Sequence, residues 1–305
     1  MKIKQIPEDF IVTERIRLNF FEGKNSYFKL KKRCWTTLNA ITRIATNLGS
    51  GLDRFGYAGN KDRQAVTEQV ISIYDVSKDK IENLNIRDIE LTFLGNGNRK
   101  INLGDLDGND FVITARDLKK KIAVKKKKIK NFYDEQRFGM KKNNHIVGKA
   151  LVKGDFKKAC EIIGLEVSEN NYINALRRVN KKMMRFYIHA YQSYLFNKVL
   201  EKVDNYKKIP VPGFLTKFKD KKIEKLYSSL LKKDGVTLKD FIIKSYKEVS
   251  SEGSERDAYV NLKNLKIKWD KDELNKGKLK AIVSFSLGKG EYGTVVVKEL
   301  FGKGI

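Results

Sequence analysis

The chain has little of what many enzyme chemistries are built from. Two histidines, His145 and His189, serve all 305 residues, which argues against a His-based triad. Two cysteines, Cys34 and Cys160, stand alone with no C-x-x-C spacing, so neither a zinc site nor a disulfide framework is indicated. No apolar run approaches the ~20 residues that would span a bilayer, and the start "MKIKQIPEDF" lacks the apolar centre of a signal peptide. A cytoplasmic protein with no membrane partner and no metal is expected. With only three prolines and 41% hydrophobic residues, disorder is not expected either. Acidic residues are scarce too: 37 Asp and Glu face 64 Lys and Arg, a formal net charge of +27. Such an excess costs self-repulsion in the compact state, and the economical explanation is a polyanionic partner. Nucleic acid is favoured, because neutralising phosphates releases condensed counterions. The bland alternative is a lysine-rich bias of the hyperthermophile kind, although such chains are usually rich in Glu as well.

At about 150 residues per domain the length suggests two domains. Alternating apolar and β-branched residues predict strands at Asp9 to Leu18 and Ser26 to Arg33, joined as a hairpin across Asn19 to Asn25. "TTLNAITRIATNLGSG" then reads as a helix, with threonines as N-caps, Leu38, Ile41, Ala45 and Leu48 on one face, and Gly49 and Gly51 as stops. Further strands are predicted at "EQVISIYDV", "DIELTFLG" and "DFVITARDL". Between Lys119 and Lys130 eight of twelve residues are lysine, with Ile122 and Ile129 seven apart, a pattern that fits an amphipathic helix with a lysine-covered face. From about Gly148 the pattern turns helical, the stretch from Tyr206 to Glu255 reads as more irregular, and "LKIKWDKD" and "KAIVSFSLGKGEYGTVVVKEL" return to strands. Strand-rich ends around a helical middle predict an α+β fold, a mixed and largely antiparallel sheet carrying a helix-rich insertion.

"GNGNRKINLG" and "GKGEYG" place glycines near cations but match neither a Walker loop nor a dinucleotide loop, so they read as tight turns. His189, among aromatics in "FYIHAYQSYLF", has no partner at metal-ligand spacing and reads as an interior or RNA-facing histidine. What remains is Asp62 in "YAGNKDRQAVTEQ", flanked by Lys61 and Arg63. Cations on both sides favour an ionised carboxylate, suited to nucleophilic attack rather than to general acid work. Taken by itself, the segment reads better as an ordinary charged turn, since Lys-Asp-Arg is easily found in so basic a chain.

The rest of the chain weighs against that bland reading. "GNKDRQAVTEQ" resembles the G-x-K-D-R/K-x-A-x-T-x-Q signature of the TruD family of tRNA pseudouridine synthases. Five further segments accompany it in order: "KQIPEDFIVTE", "NLGDLDGNDFVITAR", "NFYDEQRFG", "HAYQSYLFN" and "FSLGKGEYGTVVVKEL". One departure stands out, Asp134 in place of the family's usual glycine, and a changed backbone geometry after Tyr133 is expected from it.

The resemblance implies a pseudouridine-synthase catalytic domain at residues 1–154 and 256–305, interrupted by a family-specific inserted domain at 155–255. It implies isomerisation of a uridine in tRNA, at position 13 for the tRNA members, with tRNA as partner and neither cofactor nor metal. Asp62 is then the catalytic aspartate, attacking either the ribose or the base. Lys4 is expected to pair with Asp62, and Glu14, Lys61 and Arg63 are further site candidates. A base inside folded RNA must be flipped out and stacked on something flat. By motif position Tyr133 is the expected aromatic and Asn131 a hydrogen-bonding partner of the base, with Phe138 beside them either in the site or as core support. The main rival is a non-catalytic basic RNA-binding protein on the same fold; another is a DNA-binding or ribosome-associated protein. The oligomeric state is left open, with a monomer favoured.

Overall fold

The computed structural model describes residues 1–124 and 128–302. The chain divides into two compact units, Met1–Ile129 with Val260–Ile305, and Lys130–Tyr259. Its elements run β1 (Lys2–Ile3), β2 (Phe10–Arg15), β3 (Asn25–Arg33), α1 (Thr37–Leu48), β4 (Phe55–Tyr57), β5 (Val66–Tyr74), α2 (Lys78–Glu82), β6 (Ile89–Gly97) and β7 (Gly108–Leu118) in the first unit. The second unit holds α3 (Asn144–Lys153), α4 (Phe156–Ile163), α5 (Tyr172–Arg177), α6 (Lys181–Lys202), β8 (Lys208–Val211), α7 (Lys221–Asp234) and β9 (Ser254–Asp257). The chain then returns to the first unit with β10 (Lys263–Lys271), β11 (Leu279–Gly288) and α8 (Gly293–Phe301).

Among the described residues, nine strands of the first unit form one sheet in the order β10-β11-β7-β2-β5-β3-β6, with β1 added on β7 and β4 on β5. The pair β2 and β5 is parallel and the other pairs are antiparallel, as the mixed, largely antiparallel expectation required. The expected hairpin between β2 and β3 does not form, because β5 lies between them and pairs with both. Strand periodicity reports which residues point inward but not which strand is the neighbour. In α1 the N-cap is Thr36, whose side chain accepts from the Asn39 amide at 3.1 Å, and Gly49 closes the helix at φ 62°. The buried face is Thr37, Ala40, Ile41, Ile44 and Ala45, whereas Leu38, expected inside, is half exposed.

Three other expectations are corrected. Of the lysine-rich stretch 119–130, residues 125–127 lie outside those described, and 119–124 are not helical; Ile129 is anchored in the core and Ile122 packs against it without helical turns. The segment 206–255, read as irregular, contains α7, capped by Asp220 and closed by Gly235 at φ 64°. The run "GTVVVKEL", read as strand, is helix α8. Its consecutive valines, Val295 to Val297, are buried with Leu300 and Phe301, so packing on the sheet overrides the modest β preference of valine.

The second unit is built around α6, whose Met184, Ile188, Tyr191, Leu195, Phe196 and Val199 are buried. Helix α3 comes close to it at Gly148, where a Cβ would lie 2.0 Å from the Tyr187 carbonyl oxygen. The unit begins earlier than Asp155, the expected start of the insertion, because Phe132, Tyr133 and α3 belong to its core. Lys130 and Tyr259 face each other in an antiparallel bridge where the chain passes out and back.

In the first unit, Arg116 on β7 is 3% exposed and satisfies three carboxylates. It donates to Asp9 at 2.8 Å, Asp272 at 2.8 Å and Glu273 at 2.9 Å. Asp9 also accepts from the amides of Gln5 and Ile6, so the cluster ties the N-terminal turn to β7 and to the β10-β11 connection. Burial works against the guanidinium's charge, but the bonds to Glu273, Asp9 and Asp272 outweigh it and raise its pKa. Arg116 and Lys280 in turn hold Glu273 at about 2. Replacing Arg116 by Ala leaves buried carboxylates uncompensated and is expected to destabilise the chain by about 3–5 kcal/mol, measured by urea unfolding. Because the Glu273 pKa is depressed on folding, its contribution is present above its ordinary value of 4.5 and is lost as pH falls from there towards about 2. Arg116→Ala should therefore weaken the fall in melting temperature over that acid range.

Candidate active site

Asp62 lies in the connection from β4 to β5, ahead of a central strand of the sheet. A loop at such a place has peptide groups facing the interior, and each needs a partner. Three side chains supply them. Gln69 on β5 donates to the Gly59 carbonyl at 3.0 Å. Thr37, in the first turn of α1, accepts from the Lys61 amide at 2.8 Å while its own hydroxyl donates to Gln69 at 2.7 Å. Lys32, near the end of β3, donates to the Asp62 carbonyl at 3.2 Å and to the Trp35 carbonyl.

The charged side chains sort themselves differently from the sequence order. Lys61 turns inward and pairs with Glu14, and both are 8% exposed. Glu14 occupies the inward phase of β2, continuing Phe10 and Val12, and its second oxygen accepts from the Val70 amide at 3.3 Å. Lys61 therefore anchors the loop from below. Arg63 is exposed, available to solvent or to a phosphate. The cation on the Asp62 carboxylate is Lys4, brought from the N-terminus. The Asp62 side chain remains 33% exposed, against 14% for Lys4. Lys4 has φ 60°, a conformation uncommon for a residue with a Cβ and costing about 1–3 kcal/mol. Its ammonium also lies 3.9 Å from the centre of the Phe10 ring, and Gln64 donates to its carbonyl at 2.6 Å. A strained backbone so restrained is one that presents a side chain in a single place.

Asn131, Tyr133 and Phe138 belong to the second unit, where that unit's own contacts hold them. The Asn131 carboxamide is buried, donating to the Asp257 carbonyl at 3.0 Å and accepting from Arg256 at 2.5 Å. Asn197 brackets the Tyr133 main chain, accepting from its amide and donating to its carbonyl at 2.9 Å each. The Tyr133 ring meets Phe196 edge-on, and the Arg256 guanidinium lies 4.2 Å from its centre. Phe138 packs edge-on against His145, which stacks on Tyr194. Asp134, in the place of the family's glycine, is buried at φ −75° and ψ 163°, a geometry open to any residue. His189 is exposed on α6; partial desolvation, and then the Arg137 and Arg185 charges, lower its pKa below the usual imidazole value.

Lys32, Thr37 and Gln69 are absent from the sequence-based candidates. In the sequence Thr37 reads as a helix cap, and Gln69 as a letter of the signature. Lys32 had a readable signal, since it continues the inward phase of Phe28 and Leu30 on β3. Among the described residues, no group of three or more His, Cys, Asp or Glu side chains could hold a metal ion, and no helix is long and apolar enough to cross a membrane.

Replacing Glu14 alone by Leu strands the Lys61 charge in the interior and should cost about 3–5 kcal/mol, whereas Glu14→Leu with Lys61→Met should recover most of it. Denaturant melts of both single variants and the double variant measure that coupling.

The model of tRNA pseudouridine synthase D (TruD) matches residues 1–165, 162–207 and 202–300. A probable tRNA pseudouridine synthase D of Methanosarcina acetivorans is 28% identical over 98% of this chain and 92% of its own. Its counterpart in Methanopyrus kandleri is 30% identical over 92% and 86%. A crystal structure from Methanosarcina mazei, assigned to the same synthase, superposes with a TM-score of 0.77 at 27% identity and covers 98% of this chain and 93% of that one. With the family model matching nearly the whole of this chain, and the signature loop built as described, the chain belongs to the TruD family of tRNA pseudouridine synthases.

Proposed function

We propose that the protein is a tRNA pseudouridine synthase in which the Asp62 carboxylate is the catalytic nucleophile and uridine 13 the target. The observation that carries this reading is the Lys4 pair with Asp62, made at the one partly open carboxylate of a loop whose peptide groups are otherwise anchored inward. Family membership supports the reaction class.

In this reading the uridine leaves the RNA stack, and Asp62 attacks either C1′ of the ribose or the base. The bond from C1′ to N1 breaks, uracil turns in place, and C5 bonds to C1′. The C5 proton is lost and N1 gains one, so atoms and electrons balance without a co-reactant. An ionised carboxylate suits either role, as a nucleophile or as a stabiliser of positive charge developing on the sugar. Lys4 fixes the carboxylate's orientation, and Glu14 with Lys61 fixes the loop that bears it. Arg63, exposed next to Asp62, is suited to a phosphate. Tyr133, Asn131 and Phe138 enter through the family motif: Tyr133 as the aromatic for a stacked base, Asn131 as a hydrogen-bonding partner there, and Phe138 in the site or as packing. The net charge of +27 suits a polyanionic substrate met in the cytoplasm. A purely RNA-binding role on this fold is disfavoured, since such a role has no use for a strained lysine held on an anchored carboxylate.

Asp62→Asn should abolish pseudouridine formation in tRNA while leaving tRNA affinity within about twofold, because phosphate contacts supply most of the binding. Pseudouridine mapping beside filter binding reads both, and retained activity would overturn the nucleophile assignment. Tyr133→Ala should lower turnover more than tRNA affinity, and equal losses would mark Tyr133 as structural.

A further inference from the structure

We propose that Lys32 is a positioning residue for the reaction, whose buried ammonium holds the Asp62 main chain so that the carboxylate stands at its attacking position. The proposal rests on Asp62 being the nucleophile.

The geometry is specific. Lys32 is 1% exposed, on the inward phase of β3 after Phe28 and Leu30, where an aliphatic residue would be expected. Its ammonium is spent on two main-chain carbonyls, of Trp35 and of Asp62. The first belongs to the β3-to-α1 turn and the second to the signature loop. That turn is itself tight: Cys34 has φ 60°, and its amide donates to the Ala65 carbonyl at 3.2 Å. Lys32 thus clamps two irregular segments at the residue that bears the carboxylate. Neither Glu14 nor Lys61 duplicates this, because they fix the loop one residue earlier.

The groups facing the ammonium can be named. The signature loop brings Asp62, which favours its charge, and Lys61, which opposes it. The end of its own strand brings Cys34. Its cross-strand neighbours, Thr67 on β5 and Ile89 on β6, carry no charge. Burial is the largest effect and brings the Lys32 pKa down from 10.5 to about 8. Above that pH the neutral amine still has N–H groups, but its bonds lose the charge that makes them about twice as strong, and its attraction to the Asp62 carboxylate goes. Turnover should therefore fall as pH rises through about 8. The group's own contribution to stability moves the other way: between about 8 and 10.5 the unfolded chain keeps a proton that the folded chain has shed, so this group raises stability with pH there. Loss of activity caused by Lys32 in that window is therefore told from unfolding by a melting temperature that does not fall with it.

The test compares kcat and KM for tRNA from pH 6.5 to 9.5 in the wild type, Lys32→Met, Lys32→Arg and Asp62→Asn, with melting temperatures alongside. Lys32→Met should lower kcat about ten- to hundredfold at pH 7, the scale of a misplaced reacting group. Its KM should be nearly unchanged and its alkaline limb near pH 8 absent. Lys32→Arg, which keeps the charge at all these pH values, should regain part of kcat and also lack the limb. Since uridine ionises identically for every variant, the comparison isolates Lys32. If Lys32→Met keeps wild-type kcat and profile while Asp62→Asn is inactive, the positioning role is overturned and the nucleophile stands. If Asp62→Asn is active, both fall. Should Lys32→Met fail to fold, Lys32→Arg decides: a lowered kcat at nearly unchanged KM with the alkaline limb gone supports the proposal, and wild-type kcat and profile overturn it.

Discussion

Everything at the candidate site depends on how the loop from Gly59 to Asp62 satisfies its own peptide groups. The loop runs into a central strand of the sheet, where an unpaired amide or carbonyl would cost about 1–3 kcal/mol. Gln69, Thr37 and Lys32 each meet one such group, and they come from β5, α1 and β3. The loop is therefore held by three elements that are themselves packed through Ile41, Ile44, Phe28, Leu30 and Ile71. Moving Asp62 would mean moving a loop anchored at the Gly59 carbonyl, the Lys61 amide and the Asp62 carbonyl, and this is how a core of ordinary aliphatic residues gives one carboxylate a fixed direction.

Charges placed inside serve the same end. The pair of Lys61 with Glu14 and the Arg116 cluster are both buried. Neither is an efficient way to stabilise a fold, since desolvation consumes much of the Coulomb gain. What they supply is register. Arg116 pins the turn at Asp9, and that turn delivers Lys4 from the far end of the sequence. Glu14 accepts Lys61 and the Val70 amide together, which sets β2 and β5 against the loop they flank. The strained φ of Lys4 survives because Ile3 before it pairs with β7 and Gln5 after it donates to Asp9.

In the second unit the aromatic motif is equally bound up with its surroundings. Asn131 spends its carboxamide on β9 and Arg256, and Asn197 brackets Tyr133. Motif residues of this kind carry two duties, and here the structural duty is the visible one. The buried Asp134 shows the point from the other side, since its extended backbone needs no glycine.

Much of this was legible in the residues themselves. Alternation located β2, β3, β5, β6 and β7, Thr36 and Gly49 bounded α1, and six motif segments in order pointed to the family and to Asp62 and Lys4. Such signals are local, or are shared patterns that need no coordinates. What only the tertiary structure decided was partnership. β5 rather than β3 lies beside β2, "GTVVVKEL" is a helix because its valines are packed against the core, Lys61 belongs to Glu14, and the Asp62 carbonyl belongs to Lys32. The reason is physical: side-chain period fixes a direction, in or out, but the identity of the neighbour depends on which buried polar groups meet once distant segments are brought together, and a linear pattern does not contain that.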